Sequence, residues 1–241
     1  MKIDVLSAFP SMFNGPLTES IIKRAREKKL FDINIVDLRS FAKDKHKTLD
    51  DRPFGGGPGM VMKPEPLSAA LESVGAKKTK IVGWPKNKNK LVIYLSPQGT
   101  PITQEVAKKV ASYKNLVLLC GHYEGIDERV LNWVNLELSI GDYVLTGGEL
   151  PAMVLIDTVA RLIPGVVKES GSVENDSFFS GILDNPHYTR PEEFRGQKVP
   201  KVLLSGNHKA VQEWRKEQAV LNTIKKRPDL AKAAKLKNNK K

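Results

Sequence analysis

An α/β fold with a largely parallel sheet and helices on both faces is predicted by three observations. Short segments rich in valine, isoleucine and leucine alternate with helix-like segments over the first 165 residues. The strand-like segments are mostly bounded by Gly, Pro or Ser, and 40% of the residues are apolar, enough to bury a sizeable core. The expected strands are KIDVLSAF, FDINIVDL, KLVIYLS, LVLLCG and LELSIG. Between them, LTESIIKRAREKK, PLSAALESV, TQEVAKKVASY and IDERVLNWV are candidate helices.

ELPAMVLIDTVARLI, residues 149 to 163, follows and is apolar on nearly every side. A helix with so little polar face needs cover beyond its own sheet, and a second subunit is the economical candidate. Pro164 and Gly165 end it. Residues 166 to 182, VVKESGSVENDSFFSGI, show no period and are rich in Ser, Gly and acids, as a linker would be. A second, mainly helical region covers 183 to 241. Its clearest element is KAVQEWRKEQAVLNTIKKR, helical by the spacing of Val211, Trp214, Ala219, Leu221 and Ile224 and stopped near Pro228.

Charge narrows the class. The formal net charge is +12, and from Lys201 onward 12 Lys and Arg face three acids. A second run, GAKKTKIVGWPKNKNK, residues 75 to 90, has six lysines and no acid. Such blocks attract polyanions, with RNA the preferred partner of the basic helix; the tail KLKNNKK reads as a solvated end. No apolar run reaches the roughly 18 residues that span a membrane, and MKIDVLSAF is too short and too acidic for a secretory leader, so a cytoplasmic location is expected. The single cysteine, Cys120, excludes an internal disulfide or multi-cysteine zinc site and reads as a core residue. His46, His122, His187 and His208 lack metal-ligand spacing.

Three glycine-bearing loops follow strand-like segments: LSPQGTPIT, CGHYEGIDERV and IGDYVLTGGELP. Ligands of open α/β sheets bind beyond the carboxyl ends of strands, so these loops are candidates for one pocket. Each Gly pair taken alone also fits a tight turn. The loops contain neither G-x-G-x-x-G nor Gly-Lys-Ser/Thr, which suits adenine and ribose better than a pyrophosphate. HKTLDDRPFGGGPGM, residues 46 to 60, is glycine-rich but does not lie between a strand and a lysine-bearing helix, so it is not a phosphate loop.

These blocks, with NPHYTRP and VLLSGNH, resemble in order the bacterial tRNA (guanine-N1)-methyltransferase family of the SPOUT superfamily, from Met1 to about Pro228. The resemblance implies a deep trefoil knot in residues 1 to 165, a homodimer with active sites between subunits, and S-adenosylmethionine as methyl donor. It places donor contacts at Pro97, at Gly121, Tyr123 and Glu124, and at Ile140, Gly141, Asp142, Tyr143, Val144 and Leu145. Read alone, Asp176 is a solvated linker residue. The resemblance makes it the general base, with Arg161 beside the target guanine, Ser172 and Asp184 nearby, and Asp50, Asp51 and Arg52 in tRNA contact. No metal ligand is assigned; Asp184 is a candidate neighbour of a magnesium ion. His122 stands where some family members carry Arg, and Thr146 where some carry Ser.

The reaction so implied is methylation of N1 of guanosine 37 of tRNA, next to the anticodon. Two other classes share parts of the pattern. A dinucleotide-dependent oxidoreductase would need a glycine fingerprint after the first strand, where KIDVLSAFPSMF has none. A non-catalytic RNA-binding protein would leave the three glycine loops without a purpose.

Overall fold

The structure is a computed structural model that describes residues 1–79, 83–167 and 176–236. It divides into two compact units, Met1–Lys168 and Glu169–Lys241.

The first unit runs β1 (Lys2–Ser7), α1 (Ser20–Glu27), β2 (Asp32–Asp37), the short pair β3 (Asp50–Asp51) and β4 (Val61–Met62), α2 (Pro64–Ser73), β5 (Lys90–Pro101), α3 (Gln104–Ala111), β6 (Asn115–Cys120), β7 (Leu136–Ser139) and α4 (Glu149–Ala160). Five strands form one sheet in the order β2-β1-β6-β5-β7, every pairing parallel. The expected α/β class and all five expected strands are present. Side chains alternate across the sheet with the period of two that a pleated strand imposes. Ile3, Val5, Leu91, Ile93, Leu116 and Leu118 enter a core with residues of α1, α3 and α4. Leu6, Val92, Tyr94, Val117 and Leu119 enter a second core with residues of α2 on the other face. Both faces are therefore covered, which is why the strands read as continuous apolar runs.

Local chemistry sets the helix starts. Thr103 caps α3 by accepting from the Val106 N–H at 3.3 Å. Lys108 and Lys109 sit in its last turn, where cations oppose the helix dipole. The segment IDERVLNWV forms a 3-10 helix over Glu128–Trp133 rather than an α-helix. Asp127 caps it and takes the Arg129 side chain in a two-pronged ion pair, committing the first turn to tight geometry.

α4 is apolar because its own chain surrounds it. Pro151, Ala152, Met153, Leu155, Ile156, Val159 and Ala160 are all buried within one molecule. Leu150 and Val154, one turn apart, stay about half exposed at 48% and 46%. Most of the cover expected from a second subunit is thus supplied by the unit itself.

The second unit contains the hairpin β8 (Glu193–Phe194) and β9 (Gln197–Lys198), then α5 (Lys201–Leu204), α6 (His208–Lys226) and α7 (Pro228–Ala233). Asn207 caps α6 through the Ala210 N–H at 3.1 Å. Pro228 both stops α6 and opens α7, since a proline at the first helical position loses no needed hydrogen bond. Residues 176–182 form tight turns, with Phe178 N–H donating to the Ile182 carbonyl at 2.7 Å and Asp184 N–H to Ser177 Oγ at 3.0 Å. No described helix is long and apolar enough to cross a membrane.

Candidate active site

The three glycine-bearing loops meet in one cavity of about 270 Å³ at the carboxyl end of the sheet. The first loop is a break in β5: its ladder with β7 pairs Leu95 with Leu138 and resumes at Thr100, so residues 96 to 99 stand out of the sheet. The second follows β6. The third, 140 to 148, leaves β7 and returns past β6 before α4 begins. Nine of the ten residues assigned to the donor by resemblance line this cavity: Pro97, Gly121, Tyr123, Glu124, Ile140, Gly141, Tyr143, Val144 and Leu145. Asp142 stands between two of them, is exposed, and does not line it. Tyr123 has a left-handed backbone, φ 60°, a conformation costly for a bulky residue and held here by its neighbours. Glu124 N–H donates to the Met60 carbonyl at 3.0 Å, and Met62 N–H to that of Gly125 at 3.0 Å. These bonds tie the glycine-rich 53–60 segment to the cavity's second loop.

The Gly147-Gly148 pair has a steric cause. A Cβ on Gly148 would lie 2.7 Å from the Cys120 Cα, and one on Gly147 would lie 2.2 Å from His122 Nε2. Gly148 N–H also donates to the Gly121 carbonyl at 2.8 Å. The chain passes so close to the end of β6 that no side chain fits.

Immediately after the pair lies a buried polar group that the sequence did not single out. The Glu149 carboxylate, 1% exposed, accepts from Ser7 Oγ at 2.7 Å and meets His122 Nε2 at 3.1 Å. Ser7 is itself fully buried. Position at the first turn of α4 favours the negative charge, and both oxygens have partners, as a buried carboxylate requires. The His122 ring packs on Phe9 with centroids 4.7 Å apart and lines the cavity. The end of β1, the second loop and the start of α4 are thus joined through three side chains. A Glu directly after Gly-Gly at a helix start was the available signal, but its burial was not readable.

Electrostatics decide what the cavity suits. Its lining includes no Lys or Arg, and Glu124 is its one carboxylate. Apolar Leu95, Leu138, Val144 and Leu145 share the lining with Gly121, Gly125, Gly141, Gly147 and Gly148. A phosphate would find no Lys or Arg among these residues, whereas an uncharged base and a positively charged centre are acceptable. Burial, aided by the Glu137 charge, pushes the Tyr94 phenol up to about 12, keeping it neutral at the cavity floor. Burial likewise raises the Cys120 thiol well above its ordinary value, so the expected inert core role fits its environment.

The other assigned residues are not among those that line the cavity. Asp50 and Asp51 form β3, and the Asp51 carboxylate accepts from the Arg52 N–H at 2.7 Å. Phe54, two residues on, is fully exposed at 100%. Arg161 caps the end of α4, its N–H donating to the Asp157 carbonyl at 3.3 Å. In the second unit, Asp176 is partly buried and its carbonyl accepts from the Phe179 N–H at 3.2 Å. Asp184 pairs with His187 Nε2 at 2.8 Å, and its carbonyl accepts from Asn222 Nδ2 at 3.1 Å. Among the described residues no group of three or more His, Cys, Asp or Glu is placed to hold a metal ion. Ser172 lies outside the described residues.

A family model described as tRNA (Guanine-1)-methyltransferase TrmD matches residues 1–233, extending the expected match through α7. A tRNA (guanine-N(1)-)-methyltransferase of Endomicrobium trichonymphae is 57% identical over 232 residues, covering 96% of this chain and 100% of the relative. One from Desulforamulus reducens is 53% identical, covering 98% and 91%. One from Geobacillus kaustophilus is 52% identical, covering 95% and 91%. With the family model spanning both units and a cavity that avoids phosphate chemistry, the chain belongs to the tRNA (guanine-1)-methyltransferase family, TrmD.

Proposed function

We propose that the protein transfers a methyl group from S-adenosylmethionine to N1 of guanosine 37 of tRNA, as a homodimer whose first unit carries a trefoil knot. The observation that carries the reading is the convergence of three glycine-bearing loops on a cavity whose lining has no Lys or Arg, in a chain of this family. Bound there, the donor supplies an electrophilic methyl on a sulfonium, and the lining fits that charge. Backbone groups of residues 140–145 would hold the adenine, and Glu124, the one carboxylate of the lining, would balance the positive charge.

Guanine N1 holds a proton at neutral pH, so a base must accept it as the new N–C bond forms. Asp176 takes that role, and Arg161 stabilises the negative charge that spreads to O6. Ser172 and Asp184 help hold the guanine, and Asp50 and Arg52 contact tRNA. A magnesium ion near Asp184 belongs to the same reading; the carboxylate is already engaged by His187, so protein donors alone make an incomplete site. The knot reading is supported by the 147–148 crossing against the end of β6. The dimer reading is supported by exposed Leu150 and Val154 beside the third loop. The target sits in a single-stranded loop, where a base is splayed out at modest cost.

Asp176→Asn tests the reading. Calorimetry is expected to show donor affinity within twofold of wild type, while single-turnover methyl transfer falls at least a hundredfold. A near-normal single-turnover rate removes Asp176 from the role of base.

A further inference from the structure

A second cavity, of about 400 Å³, lies wholly within the second unit, between the 185–192 segment and helices α5 and α6. It falls in the size range of small-ligand sites. Its floor is apolar, from partly buried Val199, Leu203 and Val211. Its rim carries Arg190, Arg215 and His187 against the single acid Glu192. Neither guanidinium is ion-paired among the described residues.

Tyr188 gives the cavity a flat face. It is 49% exposed, and its ring is backed by Trp214 with centroids 6.3 Å apart. The wall is fixed to α6 rather than hanging loose. Leu183 N–H donates to Thr223 Oγ1 at 3.0 Å, Asn222 Nδ2 reaches the Asp184 carbonyl, and Asp184 holds His187. An aromatic plate, an apolar floor and unpaired guanidinium groups are the parts that receive an unstacked nucleotide: the base stacks and the phosphate pairs with arginine.

We infer that this cavity takes one splayed nucleotide of the tRNA single-stranded loop, distinct from the methylated guanosine, with its base on Tyr188 and its phosphate at Arg190 and Arg215. The inference rests on tRNA being the substrate. It adds that the second unit reads a nucleotide as well as binding backbone charge.

The test uses the full-length protein and an anticodon stem-loop RNA carrying 2-aminopurine at one loop position at a time. One position is expected to change fluorescence through stacking on wild type and to lose that change with Tyr188→Ala. Tyr188→Ala is expected to raise KM for tRNA about tenfold or more, with kcat and donor affinity unchanged, and Tyr188→Phe to restore it. Arg215→Gln is expected to lower the slope of log affinity against log salt by about 1. Thermal melting of each variant separates loss of fold from loss of contact. A Tyr188→Ala variant that melts like wild type and keeps KM within twofold overturns the inference. So does a signal at no loop position, or a uniform loss of binding with every position silent, which marks a phosphate-only surface or a site for another acidic partner. Wild-type failure to methylate tRNA would instead overturn the function itself, a separable outcome.

Discussion

At the scale of residues, the Gly147-Gly148 pair shows how a motif is legible while its cause is not. A glycine pair between two apolar segments marks a turn or a ligand loop, and the sequence supports either. The structure shows that both side chains are excluded by the end of β6 and by the His122–Glu149 pair. Such close approach between residues some 27 apart in sequence leaves no periodic trace. The same holds for Ser7, 142 residues from its partner Glu149. This network yields an ordered prediction. Glu149→Ala strands His122 and Ser7 in a buried site and is expected to cost about 3 kcal/mol, while Ser7→Ala removes the hydroxyl's two hydrogen bonds, to Glu149 and from the Phe9 N–H, and costs about 1.5 kcal/mol. Urea denaturation checks the order; equal losses would mean that the carboxylate does not join the two partners.

At the scale of elements, the five parallel strands were legible because both of their faces are buried, leaving unbroken Val, Ile and Leu runs. What was hidden is local geometry decided by tertiary contact. β5 extends past Leu95 because β7 pairs with it again at Thr100 and Pro101, and Glu128–Trp133 tightens into a 3-10 turn under the Asp127–Arg129 pair. α4 reads as needing foreign cover, yet its own sheet and neighbouring helices bury most of it. Tyr94, on β5 beneath the cavity, makes a pH prediction. Its folded pKa is raised to about 12 from an ordinary 10.0, so the folded state retains a proton that the unfolded chain releases first. Its contribution is complete below pH 10 and is lost as pH rises toward 12, about 3 kcal/mol in all. Tyr94→Phe is expected to flatten that alkaline loss in denaturation measured from pH 9 to 12. An unchanged alkaline limb would assign it to other groups.

At the scale of the whole molecule, the three-loop cavity belongs to the first unit and Asp176 to the second. In the sequence, the composition shifts after residue 165 and a basic block begins beyond Lys201. The three glycine-bearing loops were recognisable as blocks, whereas the cavity of the second unit depends on how 185–192 meets α5 and α6 and had no motif of its own kind. If each active site draws Arg161 and Asp176 from different subunits, mixing an Asp176→Asn chain with an Arg161→Ala chain restores a fraction of activity, up to about one intact site in four after random exchange. No recovery under conditions where labelled subunits are seen to exchange contradicts that shared site.

The proposed reaction is transfer of a methyl group from S-adenosylmethionine to N1 of the guanosine next to the anticodon. Its most direct measurement is incorporation of labelled methyl from that donor into two tRNA transcripts that differ only at position 37. 1-Methylguanosine is expected in the transcript with guanosine there and none in the transcript with adenosine there. Equal labelling of both transcripts, or label found on another nucleotide, would contradict it.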